Sequence, residues 1–230
     1  MGKGRYGGRR AAAFIFDLDG TLVDSGRDIA RSANAVRIHF GLPELDEPRA
    51  VSFVGDGVVK LLERSLAADA APPDAERLAE GLDVFRDHYG RHCLDDTRLY
   101  PGVLDVLRRF SRYPLMVATN KPRAFTLQVL EGLNVAGAFR RIVCGDDVEE
   151  RKPDPAMLAR ALEGLDLDPA DVAMVGDSHN DVLAARAHGC IAVGCAYGLG
   201  DPGRLRAAGP DHVIDAFGDL ADLFPSRDTL

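Results

Sequence analysis

The stretch Phe14-Ile15-Phe16-Asp17-Leu18-Asp19-Gly20-Thr21-Leu22 decides how the rest of the chain is read. The apolar run from Ala11 to Phe16 predicts a buried strand, since none of its side chains seeks water. Two carboxylates follow, two residues apart, and Gly20-Thr21 ends the run. Residues two apart in extended chain point the same way, so Asp17 and Asp19 are expected to project together from a strand's carboxyl end. Like charges that close are costly unless a cation shares them or one is protonated. An acidic surface turn is the weaker reading, because such turns rarely follow so apolar a strand directly.

A chain of 230 residues can bury a full core, as one large domain or two small ones. A net charge of −8 argues against nucleic acid and an anionic membrane as main partners, though not against an anionic substrate. No apolar run approaches the roughly 20 residues of a membrane span. Residues 1–10 are Gly-rich and basic and read as a disordered leader; the apolar run behind them is too short for a signal segment. Cys93, Cys144, Cys190 and Cys195 lack metal-ligand spacing and fit buried thiols in a reducing cytoplasm. Of 28 basic residues only Lys3, Lys60, Lys121 and Lys152 are lysines. Where Arg is the default cation, a retained Lys can mark a site that needs a compact point charge.

From about residue 25 to 96 the pattern is helix and turn. Ser25 is a candidate N-cap for a helix carrying Ile29, Ala33, Val36 and Phe40. Gly55-Asp56-Gly57 precedes a second helix, with Asp56 as its expected N-cap, and Pro72-Pro73-Asp74 opens a third. Beyond residue 97 strands and helices alternate, with strands at Leu115–Ala118, Ile142–Cys144, Val172–Val175, Cys190–Val193 and Val213–Ile214. Regular alternation argues for an α/β fold, a Rossmann-like parallel sheet with helices on both faces. The long separation of Phe16 from Leu115 far exceeds one crossover helix, which predicts an inserted all-helical cap. The expected division is a core of residues 11–24 and 97–230 and a cap of residues 25–96.

In an open parallel sheet, ligands bind at the carboxyl ends of the strands. Just after the predicted strands stand Asp17 and Asp19, Thr119 and Asn120, Asp146 and Asp147, then Asp177, Ser178 and Asp181, with Lys152 in a nearby loop. Several acids on one edge make a hard oxygen site suited to Mg²⁺ shared with phosphate. His88 and His92 lie four apart but lack the acid partner of a zinc protease, and Gly55-Asp56-Gly57 lacks the later glycine and preceding strand of a dinucleotide loop.

Four motifs carry a resemblance. Asp17-Leu18-Asp19-Gly20-Thr21, Thr119 after its strand, Lys152, and Gly176-Asp177-Ser178-His179-Asn180-Asp181 together resemble the haloacid dehalogenase superfamily, over Phe14 to about Val193. The resemblance implies a phosphotransferase with a helical cap. It implies Asp17 as nucleophile, Asp19 as acid and base, Thr119 as a phosphoryl hydrogen-bond donor and Lys152 as the neutralising cation. Mg²⁺ would be held by Asp17, the backbone carbonyl of Asp19, Asp177 and Asp181, with the Asn120 amide near the phosphate. A carboxylate at Asp19 favours phosphate esters over organohalides. The runs Val117–Pro122, Gly145–Val148 and Phe53–Gly57 resemble more closely the phosphoglycolate phosphatases of that superfamily. Their two-carbon substrate would be read by the cap, where Gly55, Gly57 and Lys60 are the candidates. The rivals are a hexose-phosphate mutase, a pyrophosphatase and a non-catalytic phosphate sensor. The expected partner is a small phosphate ester, bound by a monomer or homodimer.

Overall fold

The computed structural model describes residues 11–225, so the basic leader expected at residues 1–10 lies outside the described residues. Strand β1 (Ala13–Phe16) is completely buried. Its alternation sends Phe14 and Phe16 to one face of the sheet and Ala13 and Ile15 to the other, and each pair enters a different core cluster. The first face is aromatic: Phe14 stacks on Phe110 with ring centroids 4.4 Å apart and meets Tyr113 and Phe224 edge-on. The second is filled by smaller side chains such as Met116, Ala118, Leu158 and Ala184.

A two-residue strand β2 (Val23–Asp24) leads into four helices, α1 (Gly26–His39), α2 (Glu47–Val51), α3 (Val58–Ala67) and α4 (Ala75–His92). Strand β3 (Arg98–Leu99) brings the chain back, pairing antiparallel with β2. Both strands of the connection thus run side by side. Helix α5 (Val103–Arg109), β4 (Leu115–Ala118), α6 (Arg123–Gly132), β5 (Arg141–Val143) and α7 (Ala156–Leu162) follow. The remainder is β6 (Val172–Gly176), α8 (His179–His188), β7 (Ile191–Cys195), α9 (Pro202–Ala207), β8 (His212–Ile214) and α10 (Leu220–Leu223). The main sheet has the order β5-β4-β1-β6-β7-β8 and is parallel throughout, with Phe16 opposite Val117 on one side and Val175 on the other. Strand order reverses at β1, so a crevice opens beyond its carboxyl end.

Helices α1, α3 and α4 pack by Ile29, Ala33, Val36, Leu61, Leu62, Leu66, Phe85 and Tyr89, continuous with the Phe14–Phe16 face. Three local readings need correction. Gly57, not Asp56, holds the N-cap position of α3; the Asp56 carboxylate accepts from Arg64 and from Asn180 Nδ2 (2.6 Å). Ser25 holds the N-cap position of α1, but its hydroxyl donates to Asp19 Oδ1 (2.6 Å) instead of capping. Helix α2, begun by Asp46 and Pro48, and the β2–β3 pair escape periodicity because segments of five and two residues span too little of a repeat.

The return of the chain is fixed by one buried acid. Asp28 on α1 is 1 % exposed and accepts from the Asp96 amide, the Thr97 amide (2.8 Å) and Thr97 Oγ1 (2.8 Å). Removing it leaves buried donors without acceptors, at about 1–3 kcal/mol each. Asp28→Ala is therefore expected to cost about 2–4 kcal/mol of stability in denaturant unfolding, and a loss below about 0.5 kcal/mol would contradict this account.

Candidate active site

Strands β1 and β6 are neighbours, so Asp17 and Asp177 emerge side by side at their carboxyl ends. Helix α8 starts two residues after Asp177 and adds Asp181. Carboxylate oxygens of the three acids lie within 4.8 Å of one another, the one group of three or more such ligands among the described residues. Only close approach makes this possible. A Cβ on Gly20, whose φ is +83°, would fall 2.1 Å from Asp177 Oδ2, and one on Gly176 would fall 2.2 Å from Asp181 Cγ.

Each acid is held differently. Asp177 accepts from Thr21 Oγ1 (3.2 Å) and from the Leu199 and Gly200 amides (2.8 Å each). Asp181 closes a capping box with Ser178 through Oδ2 and accepts from Lys152 Nζ (2.6 Å) through Oδ1. Asp17 Oδ1 lies 2.9 Å from the same ammonium, so Lys152 bridges Asp17 and Asp181.

The electrostatics follow from crowding. Burial, and then repulsion from Asp181 against attraction to Lys152, lifts Asp17 to about 6. Burial, with Asp17 and Asp181 adding to it, lifts Asp177 to about 8. Burial alone would push the Lys152 ammonium down, but Asp17 and Asp181 hold it above the usual lysine range. Three crowded carboxylates, all hard oxygen donors, fit a divalent cation such as Mg²⁺ that would offset this repulsion.

Asp19 is not part of that cluster. Its carboxylate accepts Lys121 Nζ at 2.9 Å on both oxygens, in addition to the Ser25 hydroxyl. Lys121, 7 % exposed, also donates to the Tyr89 hydroxyl (2.8 Å) on α4. Scarcity singles out Lys121 without naming its partner; the structure pairs it with Asp19. Tyr89 and Ser25 were missed as polar partners, since Tyr89 sits on an apolar helical face and Ser25 reads as a helix cap. The scarcity of lysine was the usable signal, because the two deeply buried ones, Lys121 and Lys152, both meet these acids.

A cavity of about 670 Å³, part of it open to solvent, adjoins these groups. Asp17, Asp19, Asp177, Thr119, Asn120, Gly55 and Gly57 all line it. The Asn120 side chain is committed: Nδ2 donates to the Gly55 and Lys152 carbonyls and Oδ1 accepts the Lys152 amide, so it positions both loops rather than contacting a ligand. Lys60, offered as a substrate cation, is a correction. It is exposed, pairs with Glu63 at 2.7 Å and does not line the cavity, because one turn into α3 its side chain faces away from Leu61 and Val58. Asp146 and Asp147 bond Arg123 instead of joining the acids. His88 and His92 pair with Ser32 and Asp95.

Comparison with known proteins gives the family. The family model for haloacid dehalogenase-like hydrolases matches residues 14–195. A protein of Chromobacterium violaceum named phosphoglycolate phosphatase is 42% identical over 214 residues, covering 92% of this chain and 95% of the relative. One from Neisseria gonorrhoeae with the same name is 38% identical, covering 90% and 91%. The crystal structure of a predicted phosphoglycolate phosphatase from Haemophilus somnus superposes with a TM-score of 0.87 at 30% identity, covering 94% of this chain and 98% of that one. The chain thus belongs to the haloacid dehalogenase-like hydrolase family.

Proposed function

We propose that the chain is a Mg²⁺-dependent phosphatase that cleaves a small phosphomonoester, 2-phosphoglycolate, through an aspartyl phosphate. The observation that carries this is the buried cluster of Asp17, Asp177 and Asp181 beside the cavity, with Lys152 2.9 Å from Asp17 Oδ1. The names of the relatives support the phosphatase reading and the choice of substrate.

In this reading Asp17 attacks phosphorus while the bond to the leaving oxygen breaks. Asp19, oriented by Lys121 and Ser25, gives the alkoxide its proton. It then takes one from the water that hydrolyses the acyl phosphate, releasing inorganic phosphate and restoring Asp17. Thr119, at the end of β4, and the Asn120 amide would bind phosphoryl oxygens. Lys152 keeps Asp17 ionised and offsets the phosphoryl charge. Bound by Asp17, the Asp19 carbonyl and Asp177, with Asp181 behind, Mg²⁺ would screen the repulsion between an anionic nucleophile and an anionic ester. The start of α3 at Gly55 and Gly57 is the part of the cap wall available to a carboxylate. Four buried, unpaired cysteines support a reducing, cytoplasmic setting, and no helix among the described residues is long and apolar enough to cross a membrane.

Asp17→Asn is expected to abolish phosphate release with Mg²⁺ while the folded structure persists by circular dichroism, and EDTA to silence the wild type; turnover surviving either treatment would sink the mechanism. Among phosphoglycolate, hexose phosphates and pyrophosphate, phosphoglycolate is expected to be hydrolysed fastest. Bisphosphate-dependent isomerisation without net phosphate release would favour the mutase instead.

The raised acids make a further pH prediction. Their folded-state pKa values exceed the unfolded ones, so without metal the native state binds more protons and loses stability as pH rises from about 4 to about 8. A cation that replaces those protons should therefore raise the melting temperature more at about pH 8 than at about pH 5. Equal thermal shifts at both values would count against shared ligation by Asp17 and Asp177.

A further inference from the structure

His88 and His92 stand one turn apart on α4, outside the acid cluster, with ring centroids 4.5 Å apart and planes tilted by 33°. Each ring has its Nδ1 tied to an oxygen. His92 Nδ1 donates to Asp95 Oδ2 (2.8 Å), because an ionised carboxylate only accepts. Ser32 Oγ gives its one proton back to the Asp28 carbonyl (2.9 Å), so it accepts from His88 Nδ1 at 2.9 Å. The proton of each neutral imidazole thus sits on Nδ1, and the lone pair is left on Nε2. No hydrogen bond among the described residues engages either Nε2. Partial burial, with His92 and Arg91 beside it, lowers the His88 pKa and keeps that ring neutral at pH 7, against the pull of Asp87 and Asp95. Arg91 is itself paired with Asp87.

We infer that His88 and His92 form a second cation site, on the helical unit, for a divalent first-row transition ion such as Cu²⁺, Ni²⁺ or Zn²⁺, with water in the remaining positions. Histidines that ligate metals give Nδ1–H to an outer oxygen, which fixes the tautomer and makes Nε2 the more basic donor, and both rings have that partner. The spacing fits as well. An ion about 2.0 Å from each Nε2, at an angle of about 90–110°, places the two ring centres about 4.5–5 Å apart. Imidazole nitrogen selects against Mg²⁺, which takes oxygen, so the two cation sites differ in chemistry. The pair lacks the acid of a zinc protease, but binding needs only the two nitrogens. The His92 side chain is 40% exposed, which gives an ion and its waters access. The site joins α1, through Ser32, to the turn at Asp95 that leads into Asp96 and Thr97, the residues held by Asp28. It does not rest on the phosphatase reading.

The test uses the full chain with Mg²⁺ in excess, which competes for the acid cluster but not for imidazole. Cu²⁺ added at one equivalent should give an electron paramagnetic resonance signal coupled to two imidazole nitrogens, and calorimetry should show Cu²⁺ binding more tightly than Ni²⁺. His88→Gln and His92→Gln should each weaken Cu²⁺ binding at least about tenfold and reduce the coupling to one nitrogen, with the circular dichroism spectrum unchanged. Asp95→Asn keeps both ligands and should weaken binding about tenfold by making His92 less basic. A copper signal with oxygen ligands only, or unchanged affinity in either histidine variant, would overturn the inference. The wild-type copper spectrum decides the matter even if a variant fails to fold.

Discussion

Crowding of negative charge at the end of β1 is the constraint on which the rest of the structure depends. Asp17, Asp177 and Asp181 come from positions far apart in the chain and reach one point because β1 and β6 are adjacent. Glycine at positions 20 and 176 lets the backbone pass within reach of the carboxylates. Lys152 then supplies a fixed positive charge between Asp17 and Asp181, and the Leu199 and Gly200 amides anchor Asp177. What remains uncompensated appears as elevated proton affinity at Asp17 and Asp177, which is the affinity that a cation would draw on.

A second consequence concerns the join between helices and sheet. Polar links cross it near the acids, among them Tyr89 to Lys121, Gly55 to Asn120, and Asp56 to Asn180. Each ends on a residue in or next to a motif at the sheet edge. The helical unit is therefore registered against the acids by hydrogen bonds, while its contribution to the cavity wall is mostly apolar. Polar bonds set where the wall stands, and mostly apolar side chains form the surface it presents to the cavity.

Much of this was legible in the chain. Continuous apolar runs identified β1 and, after residue 97, β4, β6 and β7, because buried parallel strands need unbroken hydrophobicity. The acids that follow them were readable as a candidate site because several of them fall at one sheet edge, although Asp146 and Asp147 there bond Arg123 instead. Lys152 and Lys121 stood out by scarcity. By contrast β2, β3 and α2 were too short to show a period, and Ser25 and Asp56 were assigned to helix caps that their hydroxyl and carboxylate do not make. A cap assignment weighs only local partners, and both side chains found better ones across the fold.

The sequence alone determined the parallel α/β core, the helical insertion and the residue types that carry the chemistry, since these follow from periodicity, spacing and composition. Only the tertiary structure decided that Asp19 belongs with Lys121 rather than with the other acids. It alone committed the Asn120 side chain to the Gly55 and Lys152 loops, turned Lys60 away from the cavity and gave the wall its apolar character. Those outcomes depend on which side chains meet across the fold, and linear spacing holds no record of distances between residues brought together by strand order and helix packing.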